Sequence, residues 1–296
     1  MVSRRALVTG ASGFIGPRLA RRLLDDGWDV ALLARSTSRV AEDLRARCTV
    51  LPSDVPAEEF SGQLQGLAPD VCFHLATHFT GVHSAADIGP LVAANLELGT
   101  RLADALAGSP GATFVNVGTV WQHHGARAYG PSSLYAATKQ AFVDVLQFFA
   151  ECTALRVVTV ELSDTYGPDD PRPKLLPLLV RAARSGEPLQ LSPGQQLVDF
   201  THVDDVVAAL LQAVPLAGAG APSFSVHGAP MPLREFVALV GEVLGTEVPV
   251  EWGAREYRPR EMMTPWTHHP DLPGWAPAIG LRDGLTAVLG RAAPLG

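Results

Sequence analysis

Three glycines, Gly10, Gly13 and Gly16, come directly after the apolar run Ala6-Leu7-Val8 and lead into a stretch patterned as a helix. A strand, a tight glycine turn and a helix start in that order leave few folds open. The glycines allow the turn and a close backbone approach, and the helix N-terminus offers unpaired N–H groups to a pyrophosphate. The segment Gly10-Ala11-Ser12-Gly13-Phe14-Ile15-Gly16 is therefore predicted to cradle a dinucleotide, with Ser12, Phe14 and Ile15 beside the glycines.

The strand-helix unit then recurs along the chain. Predicted strands at Ala6-Val8, Val30-Leu33, Thr49-Leu51, Val71-Leu75, Thr113-Val117 and Arg156-Glu161 alternate with predicted helices at about Gly13-Asp26, Arg39-Arg45, Glu58-Leu64, Ile88-Ala107 and Ser133-Cys152. That alternation implies an α/β fold, a Rossmann-type doubly wound parallel sheet. After Tyr166 prolines crowd the chain, and brief elements such as Ser223-Val226 and Leu233-Leu244 suggest a smaller α/β lobe. The expected division is 1-166 for the dinucleotide domain with its catalytic helix and 167-296 for a substrate lobe interleaved with the sheet.

Charge limits the partners. Lys+Arg 23 against Asp+Glu 30 gives a net charge of -7, which provides no footprint for nucleic acid or an anionic membrane. No run reaches the roughly 18 apolar residues of a membrane span, and the start of the chain reads as a strand rather than a signal peptide. Cys48, Cys72 and Cys152 are scattered, odd in number and without metal-ligand spacing, so reduced packing thiols and a cytoplasmic location are expected.

At the end of the second predicted strand an NAD site usually offers an acid to the adenosine ribose, yet the chain reads Leu33-Ala34-Arg35-Ser36-Thr37-Ser38-Arg39. Arg35, with Ser36 and Arg39, suits a 2′-phosphate, so NADP(H) is preferred over NAD; the same arginines would equally solvate a helix start. Asp54 is placed either for the adenine edge or as a turn residue. Leu75, Ala76 and Thr77 carry the chain close to the cofactor, and His74 reads as a hydrogen-bonded core histidine.

Tyr135 and Lys139 are four apart on one predicted helix and share a face. An ammonium beside a phenol favours the phenolate, and the pair is suited to proton exchange with a carbonyl or alcohol. His123-His124 suggests a metal only superficially, because adjacent side chains diverge and no third ligand is spaced to help; no metal is expected. Ser132-Ser133 read as helix caps rather than nucleophiles.

With the glycine loop, Phe73-His74-Leu75-Ala76, Asn95 in Asn95-Leu96-Glu97-Leu98-Gly99-Thr100, Tyr135/Lys139, Tyr166-Gly167-Pro168, Asp199-Phe200-Thr201-His202-Val203-Asp204-Asp205 and Gly274-Trp275-Ala276-Pro277 in order, the chain resembles the extended short-chain dehydrogenase/reductases, in their nucleotide-sugar epimerase, dehydratase and reductase branch. The resemblance implies that Asn95 belongs to the cofactor site, that Tyr135 exchanges the proton and that Lys139 holds the nicotinamide ribose. It also implies a hydroxyl that polarises the substrate oxygen. An ungapped match puts Val117 at that place, so Thr119 is the best hydroxyl and Asn116 the alternative.

The resemblance also bears on chemistry. Dehydratases carry acids after that hydroxyl, whereas here Val120-Trp121-Gln122 stands in their place. Epimerases retain NAD, whereas the loop at Arg35 suits a consumable NADPH. The resulting expectation is an NADPH-dependent ketoreductase acting on the 4-keto group of a nucleotide-linked deoxyhexose. The alternatives are a ketoreductase of a polyketide-like ketone, a nucleotide-sugar 4-epimerase and a redox-silent NADP-binding sensor. Arg258 matches a diphosphate-binding arginine, with Lys174 and Arg260 as helpers, but Val198 stands where relatives place a second arginine, and Glu161 and Asp164 replace Arg and Asn. His78, Phe79, Trp121, His123, His124, Tyr129 and Asp164 are candidate pocket residues. The catalytic helix carries Ala141, Phe142, Val145, Leu146 and Phe149, which suit either internal packing or a homodimer.

Overall fold

A computed structural model of the protein describes residues 4–35, 39–125, 127–265 and 268–290. Seven parallel strands form the central sheet: β1 (Arg5–Thr9), β2 (Asp29–Ala34), β3 (Thr49–Pro52), β4 (Val71–His74), β5 (Thr113–Thr119), β6 (Arg156–Leu162) and, much later in the chain, β11 (Ser223–Val226). Between β6 and β11 lie the short strands β7 (Asp164–Tyr166), β8 (Leu189–Leu191), β9 (Leu197–Val198) and β10 (Phe200–His202); β12 (Met231–Pro232) and β13 (Val250–Trp252) come after it. The order across the sheet is β11-β6-β5-β4-β1-β2-β3. The order reverses between β1 and β4, and the crevice beyond their carboxyl ends is where open α/β sheets bind ligands.

The helices are α1 (Gly16–Asp25), α2 (Glu42–Arg47), α3 (Ala57–Leu67), α4 (Ile88–Val92), α5 (Leu98–Ala107), α6 (Leu134–Cys152), α7 (Leu175–Ser185), α8 (Val203–Ala213), α9 (Leu233–Leu244) and α10 (Leu281–Leu289). On one face of the sheet Leu19 and Leu23 of α1 and Val206 and Leu210 of α8 pack on Val8, Leu32, Phe73 and Val158. On the other face Phe60 and Leu64 of α3, Leu102 and Leu106 of α5, and Phe142, Leu146 and Phe149 of α6 pack on Leu7, Phe114 and Val157. Leu7 and Val8 face opposite ways because side chains alternate along a strand, and each fills a different core. A third core joins Leu179 of α7, Phe236 and Val240 of α9 and Leu285 of α10.

The sequence marks Ser223-Val226 as a strand of the smaller lobe; it closes one edge of the main sheet, parallel to β6. The helix expected as one piece over Ile88-Ala107 is interrupted by a π-helical turn at Ala93–Glu97. A π turn displaces one residue from the helical register and commonly marks a functional position. Asn95 occupies it. Phe142 and Leu146 are buried within their own domain, which is the internal-packing alternative, while Phe148 faces outward. Cys72 is buried and Cys48 half-buried, but Cys152 is exposed, so the expectation of three packing thiols fails for the residue that ends α6.

Candidate active site

Gly10, at φ 71°, sits in the left-handed region that only glycine adopts freely. A Cβ there would lie 2.9 Å from the Ala76 nitrogen, and one on Gly16 would run into the Gly10 carbonyl. The loop after β1 therefore packs directly on the loop after β4. The Thr9 hydroxyl accepts from the Leu75 and Ala76 amides at 3.0 and 2.9 Å and donates to His74 Nδ1 at 3.1 Å. His74 is a core residue, as expected, and burial brings its pKa down to about 3, which keeps the ring neutral.

No side chain caps the N-terminus of α1, where Ile15 stands at the cap position. Pro17 has no N–H and the Arg18 amide bonds to the Ile15 carbonyl at 3.1 Å, so the Gly16 amide and those of the loop before it are what this end offers an anion; the close-packed glycines let one approach, and the loop fits a dinucleotide pyrophosphate. Arg35 and Arg39 are exposed just beyond the end of β2, Asp54 is exposed after β3, and Ser36 lies outside the described residues.

Asn95 links the cofactor loop to the catalytic helix. Its carbonyl oxygen accepts from the Thr77 hydroxyl at 2.9 Å and the His78 amide at 2.8 Å, and its amide donates to the His78 carbonyl and the Thr138 hydroxyl, both at 3.0 Å. Every polar direction of this buried side chain is used. Thr138, which no motif or spacing singles out, lies between the two residues of the Tyr135/Lys139 pair. Ser133 caps α6 by accepting from the Ala136 amide at 3.2 Å, which is the capping role expected of it.

The Tyr135 phenol meets the Thr77 hydroxyl, and its ring packs edge-on against Phe79 at 5.0 Å. The electrostatics differ from expectation. Burial pushes the phenol up to about 12, against the lowering contact with Thr77, and burial brings Lys139, 2% exposed, down to about 8. The protein alone thus holds Tyr135 protonated instead of favouring the phenolate, because desolvation of both groups outweighs the attraction expected from their spacing.

Thr119 ends β5 with 8% of its surface exposed, and its oxygen accepts from the Trp121 amide at 3.3 Å as a cap on the single turn after it. That leaves the hydroxyl hydrogen to donate. Asn116 is fully buried and donates to the Thr159 hydroxyl at 3.2 Å.

Phe79, Trp121, Asp164, Lys174, Val198, Arg258 and Glu261 line a cleft of about 330 Å³. Lys174 Nζ stands 3.8 Å over the Phe79 ring and 3.6 Å from Asp164; Arg258 lies 4.5 Å over the Trp121 ring and is held by Glu261 at 2.5 and 2.8 Å. Phe79 also contacts Trp121 at 5.5 Å. Two cations are thereby fixed over one aromatic cluster that includes Tyr135.

Other expected pocket residues lie elsewhere. Tyr129 is 61% exposed and does not line the cleft. His78 stands 3.7 Å from Asp87. His123 is buried against Glu161, 2.9 Å away, and His269 reaches the same carboxylate at 3.5 Å. Spacing alone misses this third partner because it comes from a distant part of the chain. It also explains Glu161, whose carboxylate turns to these histidines.

A model of the NAD-dependent epimerase/dehydratase family matches residues 6–224. The chain belongs to that family. This epimerase/dehydratase-family protein is 30% identical over 96% of its length to the UDP-glucose 4-epimerase of Mycolicibacterium smegmatis, 97% of which is covered. It is 26% identical, over 96% of its length and 97% of the relative, to the CDP-abequose synthase of Salmonella typhimurium. The solved structure of MoeE5 with UDP-glucuronic acid and NAD superposes with a TM-score of 0.82, at 25% identity, covering 97% of this chain and 98% of that one. The family member is an extended short-chain dehydrogenase/reductase, an enzyme of the oxidoreductase type.

Proposed function

We propose that the protein is an NADPH-dependent ketoreductase that reduces the 4-keto group of a nucleotide-linked deoxyhexose. The observation that carries this reading is the pair of cations, Lys174 and Arg258, fixed over Phe79 and Trp121 beside Tyr135. A diphosphate needs two such partners, and the cleft supplies them even though Val198 offers no charge. An apolar ketone would leave both paired only with Asp164 and Glu261.

The cofactor supplies a hydride when bound. Tyr135, held protonated, gives its proton to the ketone oxygen as negative charge develops there, and the alcohol forms. Thr119 donates its hydroxyl hydrogen to the same oxygen. Lys139, with its pKa near 8, retains its charge at neutral pH and holds the nicotinamide ribose. Asn95 and Thr138 fix the helix turn that carries both catalytic side chains. Arg35 and Arg39, in a stretch from Leu33 to Arg39 whose sequence holds no acid, support NADPH over NADH.

The test is oxidation of NADPH by the purified protein with nucleotide-linked 4-keto-6-deoxyhexoses of several bases. Turnover with at least one supports the reading, and none with any overturns it. A 4-epimerase is the second reading, favoured by the likeness to the mycobacterial epimerase. It predicts tightly retained NAD and interconversion of sugars with no net cofactor consumption. Phe148, exposed on α6, supports a homodimer through that helix.

A further inference from the structure

We propose that His123, Glu161 and His269 form a structural site for a zinc-class divalent cation, behind the active site and separate from the reaction. The two histidine ring nitrogens and a carboxylate oxygen all lie within 4.8 Å of one another. His123 Nε2 is 2.9 Å from one Glu161 oxygen, and His269 Nε2 is 3.5 Å from the other. Tetrahedral zinc with bonds of about 2.0–2.1 Å keeps its ligand atoms roughly 3.3 Å apart, so both nitrogen–oxygen separations are close to that spacing, and the two ring nitrogens, within 4.8 Å, close to it by a swing of the partly exposed His269 ring.

The orientation of His123 points the same way. Its Nδ1 stands 2.9 Å from the carbonyl oxygen of Ala128, and a carbonyl can only accept, so Nδ1 carries the hydrogen. In the neutral ring Nε2 then presents a lone pair to a carboxylate that also only accepts. A positive charge must stand between them. A proton satisfies one nitrogen–oxygen pair, whereas a divalent ion satisfies all three groups at once. A ring nitrogen aimed at an ion while the other donates to a carbonyl is the arrangement that orients histidine ligands.

The surroundings are built to hold the group. Glu161 faces Gly118 across the β5–β6 ladder, and a Cβ on Gly118 would fall 2.8 Å from Glu161 Cγ, so glycine makes room for the side chain. The backbone around His269 is fastened to β11, with the Ser225 hydroxyl donating to the His269 carbonyl at 3.1 Å and the Ser225 amide to Pro270 at 2.9 Å. His123 and Glu161 are 1% exposed, but the His269 side chain is 29% exposed and gives an ion a route in and a fourth ligand from solvent. Two imidazoles and one carboxylate suit zinc better than magnesium or calcium.

Such an ion would clamp the turn after β5 to β6 and to the segment at His269. Gln122 sits between this clamp and the active site, donating to Glu161 at 3.3 Å and to Gln140 at 2.9 Å while accepting from the Thr119 amide at 2.9 Å. The ion's effect is on the rigidity of that turn.

The experiment is metal analysis by mass spectrometry on protein made without a histidine tag or nickel resin, then titration of chelator-treated, dialysed protein with zinc, and with cobalt as a spectroscopic probe. The expected result is about one zinc per chain, a tetrahedral cobalt spectrum and a melting temperature lowered by the chelator. His269→Ala should weaken zinc binding more than ~10-fold, while His83→Ala, an exposed histidine elsewhere, should leave it unchanged. Absence of zinc in the purified protein together with no binding of added zinc or cobalt overturns the site and leaves a protonated histidine–carboxylate cluster. Equal zinc binding by His269→Ala overturns the ligand assignment. The wild-type metal content decides the matter even if a variant fails to fold.

Discussion

The glycine-loop wall, on the cofactor side, is made largely of backbone, whereas the cleft wall at Lys174 and Arg258 is made of side chains. On the first, Gly10 and Gly16 exclude any Cβ, Thr9 ties the loop after β4, and the Gly16 amide opens α1. On the second, Lys174 and Arg258 sit over aromatic rings, each paired with a carboxylate. A backbone-built site tolerates little change, because the geometry is set by the fold itself. A side-chain-built site can be retuned one residue at a time. Tyr135 of α6 adjoins the second wall through Phe79.

The most severe test removes the proton while leaving both walls intact. Tyr135→Phe is expected to lower kcat by roughly 10²- to 10⁴-fold while the NADPH dissociation constant stays within error. Stopped-flow turnover and equilibrium binding check it; a variant that keeps its activity would take the proton-transfer role from Tyr135.

Lys139 gives a second effect, of opposite sign for stability and activity. Its pKa falls from 10.5 unfolded to about 8 folded, so below pH 8 both states hold the proton and the folded state bears the full cost of a buried charge. Between pH 8 and 10.5 only the unfolded chain is protonated, and stability rises with pH. Lys139→Met should therefore stabilise the protein at pH 7 by up to about 3 kcal/mol, a gain that shrinks as the pH approaches the unfolded value, while turnover is lost. In the wild type, kcat/KM should decline above about pH 8 as the ammonium is lost. Denaturant unfolding at neutral and alkaline pH measures the first expectation, and equal stability of the two proteins at neutral pH would contradict it.

On the side-chain wall, Arg258→Ala should raise KM for the nucleotide-linked substrate roughly 10- to 100-fold with NADPH affinity unchanged. If KM for a nucleotide substrate does not move, Arg258 serves only Glu261 and the diphosphate assignment fails. The two walls then differ in kind, since Gly10→Ala should weaken cofactor binding instead of substrate binding.

The same contrast decided what the sequence could reveal. The glycine loop was legible because turn, strand and helix are adjacent in the chain, and α9 was read at its observed ends because its apolar period is local. Tyr135 and Lys139 were legible as a spacing on one helix. The π turn at Asn95 was not, because each side of it keeps its own helical period and the one extra residue between them carries no separate sequence mark. Nor could spacing show that Thr77 meets Tyr135, or that His269 meets His123 and Glu161, since those contacts join segments that only the fold brings together. The raised phenol came from burial, which a helical spacing does not report.

The weakest effect belongs to the rim of the backbone wall. Arg35 is exposed just beyond β2, where its charge is hydrated with or without a ligand, so its contribution to a 2′-phosphate is that of a surface pair. Arg35→Ser should reduce the preference for NADPH over NADH only about 3- to 10-fold, and the wild-type preference should itself shrink as salt is added. Adding Arg39→Ser should extend the loss if both guanidiniums share the phosphate. Cofactor kinetics at two ionic strengths measure this. A wild-type enzyme that uses NADH as readily as NADPH would remove the arginines as selectors, and with them the strongest argument for a consumed cofactor over one retained by an epimerase.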